Sequence, residues 1–240
     1  MPSPQRAPRE LEGLLRELGP QIQRGGSGAP PATERPRCPT GLASLDALLS
    51  GGFPRGGLSE VAGVPGSGRT SLALAALARA TSEGEVTAVI DAADHFDPPS
   101  AEAAGVDLDR VLWVRAPTER DALRAVHPML TAGGFGVVLV DLTGCEARIG
   151  ARIWPRLRKE VAASDTALIV LADRRIVHTF ADLALELAPS SARFHTETGA
   201  DGAGTLLLAL ESRAELVRSR VGPAQRSIPL EAPSPALGSG

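Results

Sequence analysis

Eight residues of this chain, GVPGSGRT (Gly63–Thr70), have the types and spacing to hold a phosphate group. Gly63, Gly66 and Gly68 allow a tight turn whose N–H groups converge, and a helix starting next would add its positive N-terminal end. Thr70 stands where a hydroxyl would ligate magnesium, with Ser71 beside it. Asp141, closing the apolar run GVVLVD (136–141), is the matching carboxylate. One letter departs from the pattern G-x-x-x-x-G-K-[ST]: Arg69 occupies the lysine position. Arginine keeps the charge but offers a planar fork in place of a compact ammonium. Lys159 is the single lysine of the chain, so drift toward arginine explains the change as simply as loss of function does.

The elements that must position these residues follow from periodicity. LSEVAG (58–63) reads as the strand entering the loop and TSLALAALARATS (70–82) as the helix leaving it. VTAVID (86–91), RVLWVRA (110–116), GVVLVD (136–141) and TALIVLAD (166–173) read as further strands, with helices over 119–132 and 147–163. Ser44 is a candidate cap for a short helix before the first strand. Apolar strands alternating with helices predict an α/β fold with a mostly parallel sheet covered on both faces. Past residue 180, ADLALEL, ARFHTET and TLLLALES follow one another without helices, which predicts antiparallel edge strands.

Four segments result. Residues 1–19 carry Leu11, Leu14, Leu15 and Leu18 at helical spacing, a short amphipathic helix with one face to bury. Residues 20–37 are a Gly/Pro-rich linker, 38–221 the core and 222–240 a flexible tail. Within 147–163, Arg148, Arg152, Arg156 and Lys159 form a basic stripe opposite Ile149, Ile153, Leu157 and Val161, and Pro155 is a candidate kink. The stripe is a solvated face or a contact for phosphates or an acidic partner. No apolar run approaches the roughly 18 residues of a membrane span, and MPSPQRAPRE lacks a secretory apolar region. Cys38 and Cys145, the two cysteines, and the four histidines have no metal-site or disulfide spacing. The expectation is a cytoplasmic protein without a membrane contact. A net charge of −3 excludes a global basic field for coating DNA.

The text PTGLASLDALLSGGFPRGGLSEVAGVPGSGRTSLAL, continued by HFDP and GVDLD, resembles the ATPase core of the RecA-like superfamily over most of residues 38–221. That resemblance implies a RecA-like P-loop NTPase core, with Gly63, Gly66, Gly68, Arg69, Thr70, Ser71 and Asp141 around the nucleotide. It also exposes departures. The water-orienting glutamate of the family falls on Ala93, with Asp94 one residue away. The adenine-stacking tyrosine falls on Ser100, and the glutamine that senses the terminal phosphate falls on Asp173, a carboxylate that would repel it. The two DNA-binding loops of the family are reduced to LTGCEA and IVHTF, so RecA-type strand exchange is not expected.

A RecA-like core with a degenerate catalytic set resembles the ImuA group, also described as SulA-like. This implies an accessory protein of damage-induced mutagenesis with weak or no ATP hydrolysis. No cofactor is required, and ATP with magnesium is at most weakly held. The implied partners are an ImuB-type polymerase homologue, RecA and an error-prone polymerase complex, with DNA contact weak or indirect. Leu11, Leu14, Leu15 and Leu18 are candidate partner contacts, and QRSIPL (225–230) loosely fits a peptide that docks on the sliding clamp. Two alternatives stay open: a DNA-dependent ATPase or recombinase paralogue of RecA that uses Arg69 and Asp94, and a scaffold that binds ATP without hydrolysing it.

Overall fold

Five of the six parallel strands are buried along nearly their whole length, and this decides the architecture. In the computed structural model, residues 35–145, 150, 152–189, 191–199, 202–220 and 222–233 are described. Two short strands, β1 (Arg37–Cys38) and β2 (Phe53–Pro54), pair antiparallel and flank a six-residue helix α1 (Ala43–Leu48). The main sheet contains β3 (Gly57–Gly63), β4 (Val86–Asp91), β5 (Val111–Arg115), β6 (Phe135–Asp141), β7 (Ala167–Ala172), β8 (Leu183–Leu187), β9 (Ser191–Gly199), β10 (Gly202–Ser219) and β11 (Arg226–Pro233). Its order is β11-β10-β8-β3-β7-β6-β4-β5, with β9 paired to β10. Strands β3 to β8 run parallel and β9, β10 and β11 antiparallel. This is the predicted α/β arrangement.

Alternate residues of each central strand serve the two faces. In β6, Val137 and Leu139 join the layer formed with α1 and α2 (Arg69–Ser82), while Val138 and Val140 face α4 (Glu119–Ala132) and α5 (Ile153–Val161). Helix α4 (Glu119–Ala132) matches its predicted span. Thr118 caps it by accepting the Asp121 N–H at 3.1 Å, and Ala122, Leu123, Val126 and Leu130 form its buried stripe. The short helix α3 (Pro98–Ala103) starts from the Asp97 cap with proline at its first position.

Five expectations need correction. Ser44 is not the cap of α1; Leu42 holds that position, and Asp46 reaches back to accept from Thr40 N–H and Oγ1, both at 2.8 Å. Helix α5 spans Ile153–Val161, and its buried face is Trp154, Leu157 and Val161, with Ile153 only half-buried. Pro155 falls in its first turn, where no intrahelical N–H partner is needed, so the proline starts a helix rather than kinking one. Residues 222–240 are not simply a tail: β11 pairs with β10 from Leu216↔Arg226 to Ala209↔Pro233. The reason is apolar burial, since Ile228 and Leu230 pack on the α1 side of the core and Arg226 donates to the Leu48 carbonyl at 2.7 Å. The core likewise reaches back into the predicted linker, where Arg35 donates to the Gly56 carbonyl. Leu11, Leu14, Leu15, Leu18, Ile149 and Arg148 lie outside the described residues.

Candidate functional site

The loop Gly63–Thr70 leaves the C-terminal end of β3, in the middle of the sheet, where neighbouring crossovers run to opposite sides. Such a position is where open α/β sheets bind ligands. Glycine is required at Gly63 because a Cβ there would lie 2.4 Å from Ser67 Oγ and 3.0 Å from the Leu187 carbonyl. Gly66 and Gly68 have left-handed φ of 78° and 87°, which turn the loop into the start of α2 at Arg69. Thr70 and Ser71 are exposed in the first turn of α2. The tight strand-to-helix turn is therefore built as the sequence predicts.

The charge within that frame is spent. Arg69 is buried, at 8% exposure, and folds back over its own loop. Its Nη1 donates to the Gly63 carbonyl, and its Nη2 lies 2.8 Å from Asp173 Oδ1. Asp173 lies just past the end of β7 and is the residue that the sequence resemblance sets at the phosphate-sensing position. The expectation that it would repel a triphosphate is incomplete, because its carboxylate neutralises the one cation the loop carries. Arg69 Nε is buried without a partner among the described residues. As arranged, the frame fits a phosphate, whereas the side chain at the lysine position does not fit a triphosphate, since its guanidinium already has an anion.

Asp141 is buried at the end of β6, beside Asp91 at the end of β4 in the paired register. The two carboxylates do different work. Asp141 Oδ1 accepts the Thr143 N–H at 2.9 Å. Asp91 accepts three N–H groups, from Ala93 at 3.2 Å, His95 at 3.1 Å and Phe96 at 2.8 Å. Burial pushes the Asp91 carboxyl up, and these backbone donors outweigh it and hold it below the usual carboxylate range. Asp91 thus shapes the loop 93–96, which contains Ala93, the residue that the resemblance sets at the glutamate position. Asp94, with φ 56°, pairs at 3.1 Å with Arg115, whose guanidinium lies over Trp113 at the sheet's edge. Ser100 lies in the first turn of α3, its N–H held by Asp97 at 3.0 Å.

Sequence reasoning missed Glu60, a fully buried carboxylate in β3 three residues before the loop. Its Oε1 accepts the N–H groups of Ile176 and Val177 at 2.5 and 2.7 Å, and Arg175 Nε lies 3.5 Å from Oε2. Glu60 therefore anchors the chain that follows Asp173. The one available signal was that Glu60 is the lone charged residue of β3. Of the basic stripe, Arg152, Arg156 and Lys159 are exposed on α5, with Arg156 paired to Glu160 at 2.8 Å. They ride on a helix that packs on the face of the sheet opposite α2, its buried Trp154, Leu157 and Val161 belonging to the other core layer. Among the described residues no helix is long and apolar enough to cross a membrane.

Comparison with known proteins places this geometry in a family. The model of the RecA N-terminal domain matches residues 27–172, more than half of the chain. RecA of Methylococcus capsulatus is 30% identical over 221 residues, covering 80% of this chain and 64% of its own. RecA of Lactobacillus delbrueckii is 34% identical over 135 residues, covering 55% and 41%. RecA of Chlorobaculum parvum is 42% identical over 103 residues, covering 42% and 30%. The chain thus spans no more than two thirds of the length of these relatives. Among solved structures, the RadB recombinase has the same fold, with a TM-score of 0.60 and 21% identity over 80% of this chain and 94% of RadB. The chain belongs to the RecA family.

Proposed function

We propose that this chain is a RecA paralogue that acts as an accessory protein, through contacts with other proteins rather than by nucleotide turnover. The observation that carries the reading is the Arg69–Asp173 pair, which neutralises the loop's cation within the chain. Ala93 and the outward pairing of Asp94 with Arg115 support it, because neither offers a group to orient an attacking water. On this reading the protein is of the ImuA type and serves damage-induced mutagenesis. Its partners are an ImuB-type polymerase homologue, RecA and an error-prone polymerase complex. Leu11–Leu18 and the basic stripe of α5 are the candidate contacts, and DNA is met indirectly. A sliding-clamp contact through QRSIPL requires β11 to leave β10, which weighs against it.

Family membership favours a second reading, a DNA-dependent ATPase or recombinase paralogue. The retained turn supports it too, with Thr70 exposed at the start of α2 and Asp141 buried at the end of β6 as the residues that would hold magnesium if ATP binds. An ATPase assay with and without single-stranded DNA separates the two. The accessory reading expects turnover indistinguishable from an Asp141→Ala control. DNA-stimulated turnover that Asp141→Ala abolishes establishes the second reading. Deleting residues 1–20 is expected to weaken co-precipitation of RecA or the polymerase homologue, and undiminished capture refutes that contact.

A further inference from the structure

We propose that Asp173 is an internal latch on the phosphate-binding loop, coupling the loop's access to phosphate to the position of residues 142–145. The proposal rests on the reading that the loop's charge is satisfied within the chain. The two oxygens of Asp173 serve two different segments. Oδ1 faces Arg69 Nη2 at 2.8 Å, and Oδ2 accepts the Gly144 N–H, also at 2.8 Å. One carboxylate thereby ties the first residue of α2 to the chain that leaves β6.

The site carries its own sign of an unmet ligand. Arg69 is more than nine-tenths buried, and its Nε has no partner among the described residues. Buried donors of that kind are rare and costly. The paired Asp173 is only half-buried, with 37% of its side chain exposed. Arg69 and Asp173 form a close ion pair that leaves donor capacity unused, and a phosphate offers more acceptor oxygens to the same fork.

Exchange of partners has a mechanical consequence. A phosphate on Arg69 puts a second anion beside Asp173, and two anions sharing one cation at this range disfavour each other. Asp173 then turns away, and the Gly144 N–H loses its acceptor. Gly144 sits in a left-handed turn with φ 73°, and the residue before it is held twice. Thr143 N–H binds Asp141 Oδ1 at 2.9 Å, and Thr143 Oγ1 meets His95 Nδ1 at 3.0 Å. Leu142 N–H stays on the Leu171 carbonyl at 3.0 Å, so Leu142 is the hinge about which the rest of residues 142–145 moves. Coupling of this kind is reciprocal: whatever displaces residues 142–145 changes phosphate affinity by the same factor.

The test compares the parent chain with Asp173→Asn, Asp173→Ser and the double variant Arg69→Ala/Asp173→Asn. Calorimetric titration with ATP, and separately with inorganic pyrophosphate, is combined with hydrogen exchange at the Gly144 amide. Asn keeps an acceptor for Gly144 but not the charge. Asp173→Asn is therefore expected to bind either ligand on the order of tenfold tighter than the parent, within the usual range for coupled sites. Asp173→Ser removes the reach to Gly144 and is expected to speed exchange there without ligand. Asp173→Ser also supplies the affinity comparison should the Asn variant not fold. The double variant is expected to lose the gain. Unchanged affinity in a folded Asp173 variant, unchanged exchange in Asp173→Ser, or an undiminished gain in the double variant overturns the latch. Turnover by the parent chain would instead contradict the accessory reading and leave the latch standing, so the two failures are distinct.

Discussion

Removing the Glu60 side chain should loosen the segment that carries Asp173 and cost stability at the same time. Two backbone donors, Ile176 and Val177, lose the acceptor that Glu60 provides, and Val177 is fully buried. A buried donor left unsatisfied costs about 1–3 kcal/mol, and bonds to a charged acceptor lie at the upper end. Arg175 loses a long contact of 3.5 Å and keeps Glu186 at 3.6 Å, so its share is small beside that of the two backbone donors. The sum for Glu60→Ala is about 3–5 kcal/mol, a large share of the roughly 5–15 kcal/mol that holds a typical domain. Glu60→Gln keeps an acceptor oxygen and should lose about half as much. Urea unfolding followed by circular dichroism measures both, with an unchanged slope expected if only the native state is weakened. A Glu60→Ala midpoint equivalent to less than about 1 kcal/mol refutes the assignment, because it would mean that water or another group satisfies those donors.

Two further outcomes are expected. The lowered folded value of Asp91 means that its stabilisation is complete above the unfolded carboxylate value, about 3.9, and is lost as the pH falls through and below it. Asp91→Asn should cost about 1–3 kcal/mol near neutral pH, and its deficit against the parent should shrink toward pH 3 in acid-unfolding curves. A deficit independent of pH contradicts the ionised clamp. Leu230→Ala should lower stability by about 1–2 kcal/mol, less than a fully buried leucine because this side chain is half-buried against the core. A melting temperature equal to that of the parent would show that residues 226–233 hang free.

How much was legible in advance differs by level. The strands and long helices declared themselves through periodicity, and α4 over 119–132 needed nothing more, because its cap and apolar stripe are local. The phosphate frame was equally legible, since left-handed glycines and a strand-to-helix turn depend on neighbours in the chain. Strand β11 was not, because SIPL is a weak apolar pattern whose edge position rests on contacts with α1, some 180 positions away. Glu60 was unreadable as an anchor for the same reason: its partners follow β7.

What the sequence alone determined is the RecA-like α/β frame, the loop at Gly63–Thr70 and the departures at Arg69, Ala93, Ser100 and Asp173. Read singly, Arg69 kept a charge for phosphate and Asp173 opposed one. Only the tertiary structure decided that the two meet, because β3 and β7 are neighbours in the sheet and end side by side. Opposite charges brought together at the ends of adjacent strands satisfy each other, and that pairing, invisible in either segment, is what sets the state of the site.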